Sequence, residues 1–363
     1  MNSTANSNQA NNGTVSIDAS ALAIAVQTLT ISLLLLAFLT VFSNGLFLVT
    51  FYKDPLKCLR TPTAIFIAGL SSSNFLTGLI VEPAYVGIFL SAMHSGASFG
   101  SKSMRVFLRF MEVFSFVTIT SSFLIMLALG IVQYLLIKHP RIYNKSVSAK
   151  SAVIGIIFIF IYSILFALLP EMTGINKGLL SFIDLLIHNL LLTVALVTLY
   201  LVVYCQFRKL TDRHRNADLQ ENSEEHGASI EPTESEKQRL QAEKDFVYGT
   251  IILTTVLIVT VWPFCICVII AMVYGFTLAT YLAWIISLII LLLKFALDPF
   301  VFAWRLRKYR KSLELVWQRM CQCGKPSLPP ASYHRSEPEI TSPSSEHDHC
   351  GVEVTVVDGT GPV

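Results

Sequence analysis

The chain has 363 residues, of which 53% are hydrophobic and only 14% are charged, and its formal net charge is +3. Charged residues make up about 25% of an ordinary soluble domain, so this composition argues against a soluble protein and for a membrane protein. So small a net charge gives no support for nucleic-acid binding.

Long apolar runs recur along most of the chain. A helix needs about 20 mainly apolar residues to cross the hydrocarbon core of a bilayer. The runs therefore predict an all-α integral membrane protein, a bundle of seven transmembrane helices within residues 22–303. The predicted spans are residues 22–52, 62–92, 104–137, 149–170, 179–207, 244–273 and 279–303.

The segment before the first span, residues 1–21, contains no lysine or arginine. Because no basic region precedes the first apolar run, we expect that run to act as an uncleaved membrane anchor. The triplets that begin at Asn2 and Asn12 are N-glycosylation sequons. We therefore predict an extracellular tail that is glycosylated at Asn2 and Asn12.

Lysine and arginine cluster after the first, third, fifth and seventh spans, whereas the other connections hold little more than Lys102 and Lys177. Positive charge collects on the cytoplasmic side of membrane proteins, so the N-terminus is predicted outside and the C-terminus inside. None of the cysteines falls in a predicted extracellular loop, and an extracellular disulfide is therefore not expected.

The long polar segments lie on the predicted cytoplasmic side. Residues 208–243 form the third cytoplasmic loop, whose ends are expected to extend the flanking helices. Residues 304–320 have the apolar spacing of an amphipathic helix at the membrane surface. Cys321 and Cys323 follow it where palmitoylation is common, the alternative being two free thiols. Residues 321–363 are predicted to be a disordered tail, either phosphorylated or simply solvated.

Several motifs carry a resemblance to a known family. Asn44 and Asn74 are polar residues inside the first two spans, Pro263 interrupts the sixth, and Asp298-Pro299 lies near the end of the seventh. Over about residues 30–320 the chain resembles rhodopsin-type (class A) G-protein-coupled receptors. The resemblance implies a multi-pass receptor of the plasma membrane that carries the signal of an extracellular small molecule or peptide to a heterotrimeric G protein. It implies no cofactor, and it adds arrestin and membrane lipids as partners.

The inner ends of the spans depart from that family. Gln133 and Tyr134 stand where the family has the arginine and tyrosine of Asp-Arg-Tyr, and Phe302 replaces an inner tyrosine. Glu243 matches the family's acidic partner on the sixth span, so a Gln133–Glu243 contact would be a hydrogen bond and not an ion pair. These four residues are the candidate transducer-coupling set. Coupling to a G protein is then either achieved through other contacts or lost.

The fifth and sixth spans also differ from the family. Trp262 lies one residue before Pro263 and not two, which rotates it by about 100° on a helix. The fifth span lacks the family's proline. The missing fifth-span proline, the absent extracellular cysteines, a short second outer loop and Asp-Pro in the seventh span resemble melanocortin-type receptors.

A lysine and an aspartate lie together inside the seventh span. Lys294 and Asp298 are one helical turn apart and can pair. By the resemblance, Asn74, Ser122 and Asp298 match residues that line a sodium-binding pocket in the family, and Asn44 and Lys294 complete the candidate internal polar pocket. We hypothesise that the Lys294 ammonium replaces the sodium ion; the alternative is a structural ion pair with no switching role. Lys294 lies five residues before Pro299 and not seven as in opsins, so no retinal pigment is expected.

The candidate ligand site lies in the outer halves of the spans, where ionisable residues are costly and usually functional. Glu112 is placed to meet a cationic ligand, although Ser115 stands where amine receptors have an aspartate. The alternative is that these charged side chains bind no ligand and are simply solvated at the outer rim of the bundle. The predicted ligand-binding residues are Glu82, Glu112, Ser115, Asp184, His188 and Trp262.

Three other functions are alternatives to a signalling receptor. A seven-helix transporter usually has internal repeats, and none is seen here. A zinc hydrolase generally needs three protein ligands, whereas His188 is the only histidine well inside the predicted membrane region, so neither an enzyme nor a metal site is expected. A receptor fold that does not couple to G protein remains open because of Gln133 and Phe302.

Overall fold

The computed structural model describes residues 19–55, 59–94, 101–224, 234–275, 277–305 and 307–322. The predicted glycosylation sites Asn2 and Asn12 and the predicted acylation site Cys323 lie outside the described residues. Three further predicted residues lie in described helices, but their side chains are outside the described part of the structure: Glu243, Phe302 and Cys321.

Seven helical spans are long and apolar enough to cross a membrane, which confirms the predicted all-α, seven-span fold for the described residues. The single-helix spans are the first, third, fourth, sixth and seventh: Ala19–Lys53, Lys102–Lys138, Ala149–Thr173, Glu234–Tyr274 and Leu278–Arg305. The second and fifth spans each contain a π-helical turn between two α-helices. The second consists of Pro62–Leu76, Thr77–Val81 and Glu82–His94, and the fifth of Lys177–Asp184, Leu185–Leu191 and Leu192–Glu224.

Residues predicted as the third cytoplasmic loop are helical as far as the structure describes them. The fifth span continues to Glu224, and the sixth begins at Glu234. Arginine, lysine, glutamate and glutamine dominate these extensions, and all four are good helix formers. The helices therefore run past the apolar windows that marked the spans in the sequence.

Local capping chemistry sets several helix ends. The hydroxyl of Ser101 accepts a hydrogen bond from the Met104 amide at the start of the third span. Ser148 and Ser151 form a reciprocal capping box at the start of the fourth. Gly174 and Gly275 follow the fourth and sixth spans with φ of 71° and 81°, a conformation that favours glycine.

The third span lies at the centre of the bundle and packs against the second, fourth and fifth spans. Its side chains Phe123, Met126 and Leu129 are fully buried in the main apolar core. The fourth span lies at the periphery, where only Ala152, Ser163 and Ala167 are buried. Ile156, Ile159 and Phe160 are partly buried against the main core, whereas most of its other apolar side chains are exposed on the outer surface of the bundle.

The helix Arg307–Gln322 follows the seventh span and docks against the first. The Tyr309 ring stacks on Phe47 with centroids 4.5 Å apart. Burial raises the pKa of the Tyr309 phenol, whose hydroxyl meets Thr50 of the first span. Val316 is also buried, whereas Trp317 is half exposed, so the helix has one docked face and one outward face.

The first and second spans approach each other closely at Gly78. This residue lies in the π-helical turn Thr77–Val81, just before Pro83. Proline has no amide hydrogen and its ring crowds the carbonyl four residues earlier, which favours a widened turn at this point. Because Gly78 has no side chain, Thr40 of the first span packs directly on the backbone of the turn.

We predict that Gly78→Ala destabilises the protein by about 1–3 kcal/mol, the usual cost of overpacking a core. A Cβ atom at residue 78 would lie 2.8 Å from Thr40 Cβ and Cγ2 and 3.1 Å from the Val41 amide nitrogen. Neither a β-branched side chain nor backbone can move aside easily. Thermal unfolding of the purified protein in detergent measures the effect.

The matched control is Gly87→Ala in the same span, where no atom lies within 4 Å of the added Cβ. This change should be neutral or slightly stabilising, because alanine is the better helix former. Equal melting temperatures for the two variants would contradict the close contact at Gly78.

Candidate functional site

A buried ion pair lies inside the bundle on the seventh span. Lys294 Nζ and Asp298 Oδ2 are 2.8 Å apart, and the two side chains are 0% and 1% exposed. A turn of helix separates the two residues, so both project toward the same neighbours. Lys294 and Asp298, which their four-residue spacing allows to pair, form a direct charge-assisted hydrogen bond.

Two further side chains close this pair into a ring. The Lys294 ammonium donates to Ser122 Oγ at 3.2 Å. Ser122 Oγ donates to Asn74 Oδ1 at 2.8 Å. Asn74 Nδ2 in turn donates to Asp298 Oδ2 at 2.9 Å. The ring therefore joins the second, third and seventh spans, and every contact in it pairs a donor with an acceptor.

Aromatic rings cover the ammonium group. Lys294 Nζ lies 4.9 Å from the Phe123 ring centroid and 4.6 Å from that of Phe295. Both distances are within the range of a cation–π interaction, which stabilises a charge removed from water. The second carboxylate oxygen, Asp298 Oδ1, is buried without a hydrogen-bond partner among the described residues.

Asn44 lies beside the ring and not within it. Its amide donates to the carbonyl oxygens of Thr40 and Phe295, each at 2.9 Å. Pro299 has no amide hydrogen to offer the Phe295 carbonyl four residues earlier, and Asn44 of the first span supplies that hydrogen bond instead. Next to it, Ser43 Oγ donates to the Ala296 carbonyl at 3.2 Å. Pro299 thus leaves the Phe295 carbonyl free to accept the hydrogen bond that links the first span to the seventh.

A second polar cluster joins the fourth and fifth spans in the outer half. His188 Nδ1 lies 2.9 Å from Asp184 Oδ1, and His188 Nε2 lies 2.9 Å from the Tyr162 hydroxyl. Asn189 Nδ2 donates to the other oxygen of Asp184 at 3.2 Å. The π-helical turn Leu185–Leu191 explains how residues four and five positions after Asp184 both reach one carboxylate.

Sequence reasoning missed two members of this second cluster. Asn189 follows His188 directly in an apolar run, and that adjacency is a signal that could have been read. Tyr162 lies in the most apolar span and carries no signal of its own, because its partner depends on how the fourth and fifth spans pack. Asp184 and His188 are consequently engaged with each other.

The other predicted ligand residues do not join this cluster. Glu112 is 43% exposed at the outer end of the third span and pairs with Arg109 at 3.2 Å, and Arg109 also pairs with Glu171 of the fourth span. The Ser115 hydroxyl bonds to the Met111 carbonyl of its own helix. Glu82 is fully buried and faces Thr40 of the first span.

The structure places Trp262 away from every one of these groups. Its side chain is 41% exposed on the outward surface of the sixth span, while Val261 and Cys265 face the core. The predicted rotation by one helical position accounts for this orientation. This orientation does not favour a contact between Trp262 and a ligand inside the bundle, and its ligand-binding role stays a prediction.

At the inner end of the third span, Gln133 is buried and Tyr134 is half-buried. Gln133 is 5% exposed, and its Oε1 has no hydrogen-bond partner among the described residues. Tyr134 packs edge-on against His139 and lies beneath the Lys138 ammonium, 5.5 Å from its ring centroid. An uncharged, buried side chain therefore occupies the position where the resemblance calls for arginine.

Comparison with known proteins agrees with this geometry. The family model for the 7 transmembrane receptor (rhodopsin family) matches residues 43–302. Among curated proteins, the chain is 29% identical over 140 residues to G-protein coupled receptor 161 of Danio rerio. That match covers 39% of this chain. Over the match, the chain spans about a quarter (25%) of the length of the relative.

We predict that each half of the buried ion pair is costly to remove alone. Lys294→Met leaves the Asp298 carboxylate without its counter-charge, and Asp298→Asn leaves the ammonium without its own. Each should lower the free energy of unfolding by about 3–5 kcal/mol, as expected for an uncompensated buried charge. The combined variant should recover most of the loss, because no unpaired charge remains.

Unfolding of the four proteins in mixed micelles gives the double-mutant cycle. Additive losses in the combined variant would show that the two side chains act independently and would contradict the pairing. A near-neutral effect of either single change would do the same.

Proposed function

The chain belongs to the rhodopsin family of seven-transmembrane receptors, and we propose that it couples an extracellular ligand to activation of a heterotrimeric G protein. It is a multi-pass membrane receptor of the plasma membrane, as the seven spans and the family match indicate. The proposal for its activity rests chiefly on the ring of Lys294, Asp298, Ser122 and Asn74, which links three spans at the centre of the bundle.

Such a ring supports a two-state mechanism. Its members come from the second, third and seventh spans, so a relative movement of these helices must break or rearrange it. A ligand that binds one arrangement more tightly than the other shifts the equilibrium between them. Opening of the inner face between the third, fifth and sixth spans would then expose the surface that a G protein binds.

Lys294 takes the place of a sodium ion in this proposal. The ammonium sits beside the Asp298 carboxylate and the Ser122 hydroxyl, the oxygen ligands that a sodium ion would use. A fixed cation on the chain neutralises the carboxylate at any salt concentration. The receptor equilibrium should therefore have lost the sodium dependence that an exchangeable ion confers.

The outer ligand is proposed to be a small molecule or peptide that meets the outer ends of the third and fourth spans. Glu112, Arg109 and Glu171 form a partly exposed ionic cluster there, beside a small cavity that Phe116 and Leu180 also line. The pairing of Glu112 with Arg109 means that a cationic ligand must compete with the guanidinium. Asp184 and His188 would act indirectly, by holding the fourth and fifth spans together.

The modifications and the remaining partners are extensions of the same proposal. Asn2 and Asn12 would carry glycans outside, Cys321 and Cys323 would carry palmitate at the inner surface, and arrestin would bind the cytoplasmic side. Membrane lipids would contact the outward face of the fourth span and the docked helix Arg307–Gln322.

Coupling is tested by guanine-nucleotide exchange on a panel of G proteins, with wild type and Gln133→Arg side by side. We expect wild type to raise exchange above a receptor-free control, because Gln133 can still donate and accept hydrogen bonds. Gln133→Arg should raise it several-fold further, since the arginine adds charge at the inner face. A matched control is Gln133→Ala, which removes the amide and should abolish exchange.

Exchange in Gln133→Arg alone would instead identify an intact receptor fold whose coupling residue has been lost. Silence of all three proteins on every G protein, in the presence of ligands that raise their melting temperatures, would overturn the coupling proposal.

The replacement of sodium is tested by thermal unfolding in sodium chloride and in choline chloride at equal ionic strength. We expect the melting temperature of wild type to be the same in both salts. Lys294→Ala vacates the space beside Asp298 and should be selectively stabilised by sodium, because a ligand that binds the folded state raises its stability. Lys294→Ala combined with Asp298→Asn lacks the carboxylate and should lose that response. An equally large sodium effect in wild type and Lys294→Ala would contradict the replacement.

A further inference from the structure

Glu82 is a buried carboxyl group that the proposed mechanism does not use. It is 0% exposed and lies in the second span, directly after the π-helical turn Thr77–Val81. It faces the first span and takes no part in the ring around Asp298. A carboxyl group in such a place needs either a counter-charge or a proton, because an isolated ionised carboxylate is very costly in an apolar interior.

Among the described residues, no charged or titratable group on the surrounding spans supplies a counter-charge to Glu82. The first span has no ionisable side chain from Ala19 through Phe51. The second span also carries the Tyr85 phenol, which meets Ser115 of the third span. On the third span Glu112 is acidic and pairs with Arg109, and on the seventh Lys294 pairs with Asp298.

The contact with Thr40 decides where a proton must be. Thr40 Oγ1 lies 3.1 Å and 3.4 Å from the two carboxyl oxygens of Glu82, and 2.9 Å from the Leu36 carbonyl oxygen. A hydroxyl group has a single hydrogen and two lone pairs. The short bond to the Leu36 carbonyl takes that hydrogen, as is usual for threonine in a helix. With that hydrogen on the Leu36 carbonyl, a proton on the Glu82 carboxyl completes a hydrogen bond to Thr40, whereas an ionised Glu82 would compete with Leu36 for the same threonine hydrogen.

We propose that Glu82 is a proton-binding site, held as a neutral carboxylic acid that donates its hydrogen bond to Thr40. The hydrogen bonds then run in one direction, from the Glu82 carboxyl to the Thr40 hydroxyl and from that hydroxyl to the Leu36 carbonyl. The close approach at Gly78 makes this possible, since it brings Thr40 onto the turn that precedes Glu82. The proton stabilises the contact between the first and second spans.

This site makes that helix contact sensitive to pH. A glutamic acid in water is ionised at neutral pH. Any rearrangement that separates the two spans and admits water to Glu82 therefore releases the proton. Acidic conditions favour the closed contact, and alkaline conditions favour the separated one.

Infrared spectroscopy of the purified protein in lipid nanodiscs tests the proposal, and it needs neither a ligand nor a G protein. A protonated carboxyl group has a carbonyl stretching band that is distinct from carboxylate bands and shifts in deuterium oxide. We expect this band at neutral pH in wild type and its loss in Glu82→Gln. The matched control is Glu112→Gln, which removes a carboxylate already paired with Arg109 and should leave the band in place.

Two further variants keep the test decisive. Thr40→Val removes the acceptor hydroxyl at nearly constant volume, so the band should persist and move to higher wavenumber. Glu82→Asp should shift the band without removing it, which covers the case in which Glu82→Gln does not fold. Identical carboxylic-acid absorption in wild type and Glu82→Gln would show that Glu82 is ionised and would overturn the proposal.

Loss of the band in both Glu82→Gln and Glu112→Gln would also overturn the assignment to a single buried site. Failure of the nucleotide-exchange experiment would leave this result untouched, because the infrared band reports only the protonation of the folded receptor.

Discussion

The ion pair between Lys294 and Asp298 is the constraint on which the interior of this receptor depends. Lipid gives helices no hydrophobic reason to associate, so packing and interhelical hydrogen bonds must hold the bundle together. A buried ion pair makes correct helix packing more important still, because each ion is costly to bury without its partner. Asn74 and Ser122 add hydrogen bonds to Asp298 Oδ2 and to the Lys294 ammonium, and the resulting ring constrains the relative positions of three spans.

Proline chemistry supplies a second, independent constraint. Pro299 leaves the Phe295 carbonyl without its helical donor, and Asn44 donates to it from the first span. Pro83 lies just after the widened turn of the second span, where Gly78 admits Thr40. Breaks in the backbone hydrogen-bonding pattern thus become the places where neighbouring helices attach. These helix contacts therefore form at irregular turns and prolines, whereas the four side chains of the polar ring project from regular α-helix.

The sequence was sufficient for the fold and for contacts along one helix. Apolar runs revealed the seven spans, and the four-residue spacing revealed the Lys294–Asp298 pair. Contacts between helices were accessible only where a family resemblance supplied them, as for Asn74 and Ser122. Thr40 beneath Glu82 and Tyr162 beside His188 were not predicted, because such partners depend on helix rotation and on π-helical turns that leave no clear signature in composition. For the same reason Glu82 lies against the first span and not in an open ligand cavity.

The two buried sites are connected through the first span. Glu82 meets the hydroxyl of Thr40, the carbonyl of Thr40 accepts a hydrogen bond from Asn44, and Asn44 also donates to Phe295, the residue after Lys294. These groups form a continuous polar path from the second span to the seventh. A displacement of the first span at Thr40 must therefore strain the Asn44 contact beside the ion pair as well. The Glu82–Thr40 contact joins the first and second spans, and the Asn44 hydrogen bond joins the first span to the seventh beside Lys294, so the first span contacts the surroundings of both buried sites.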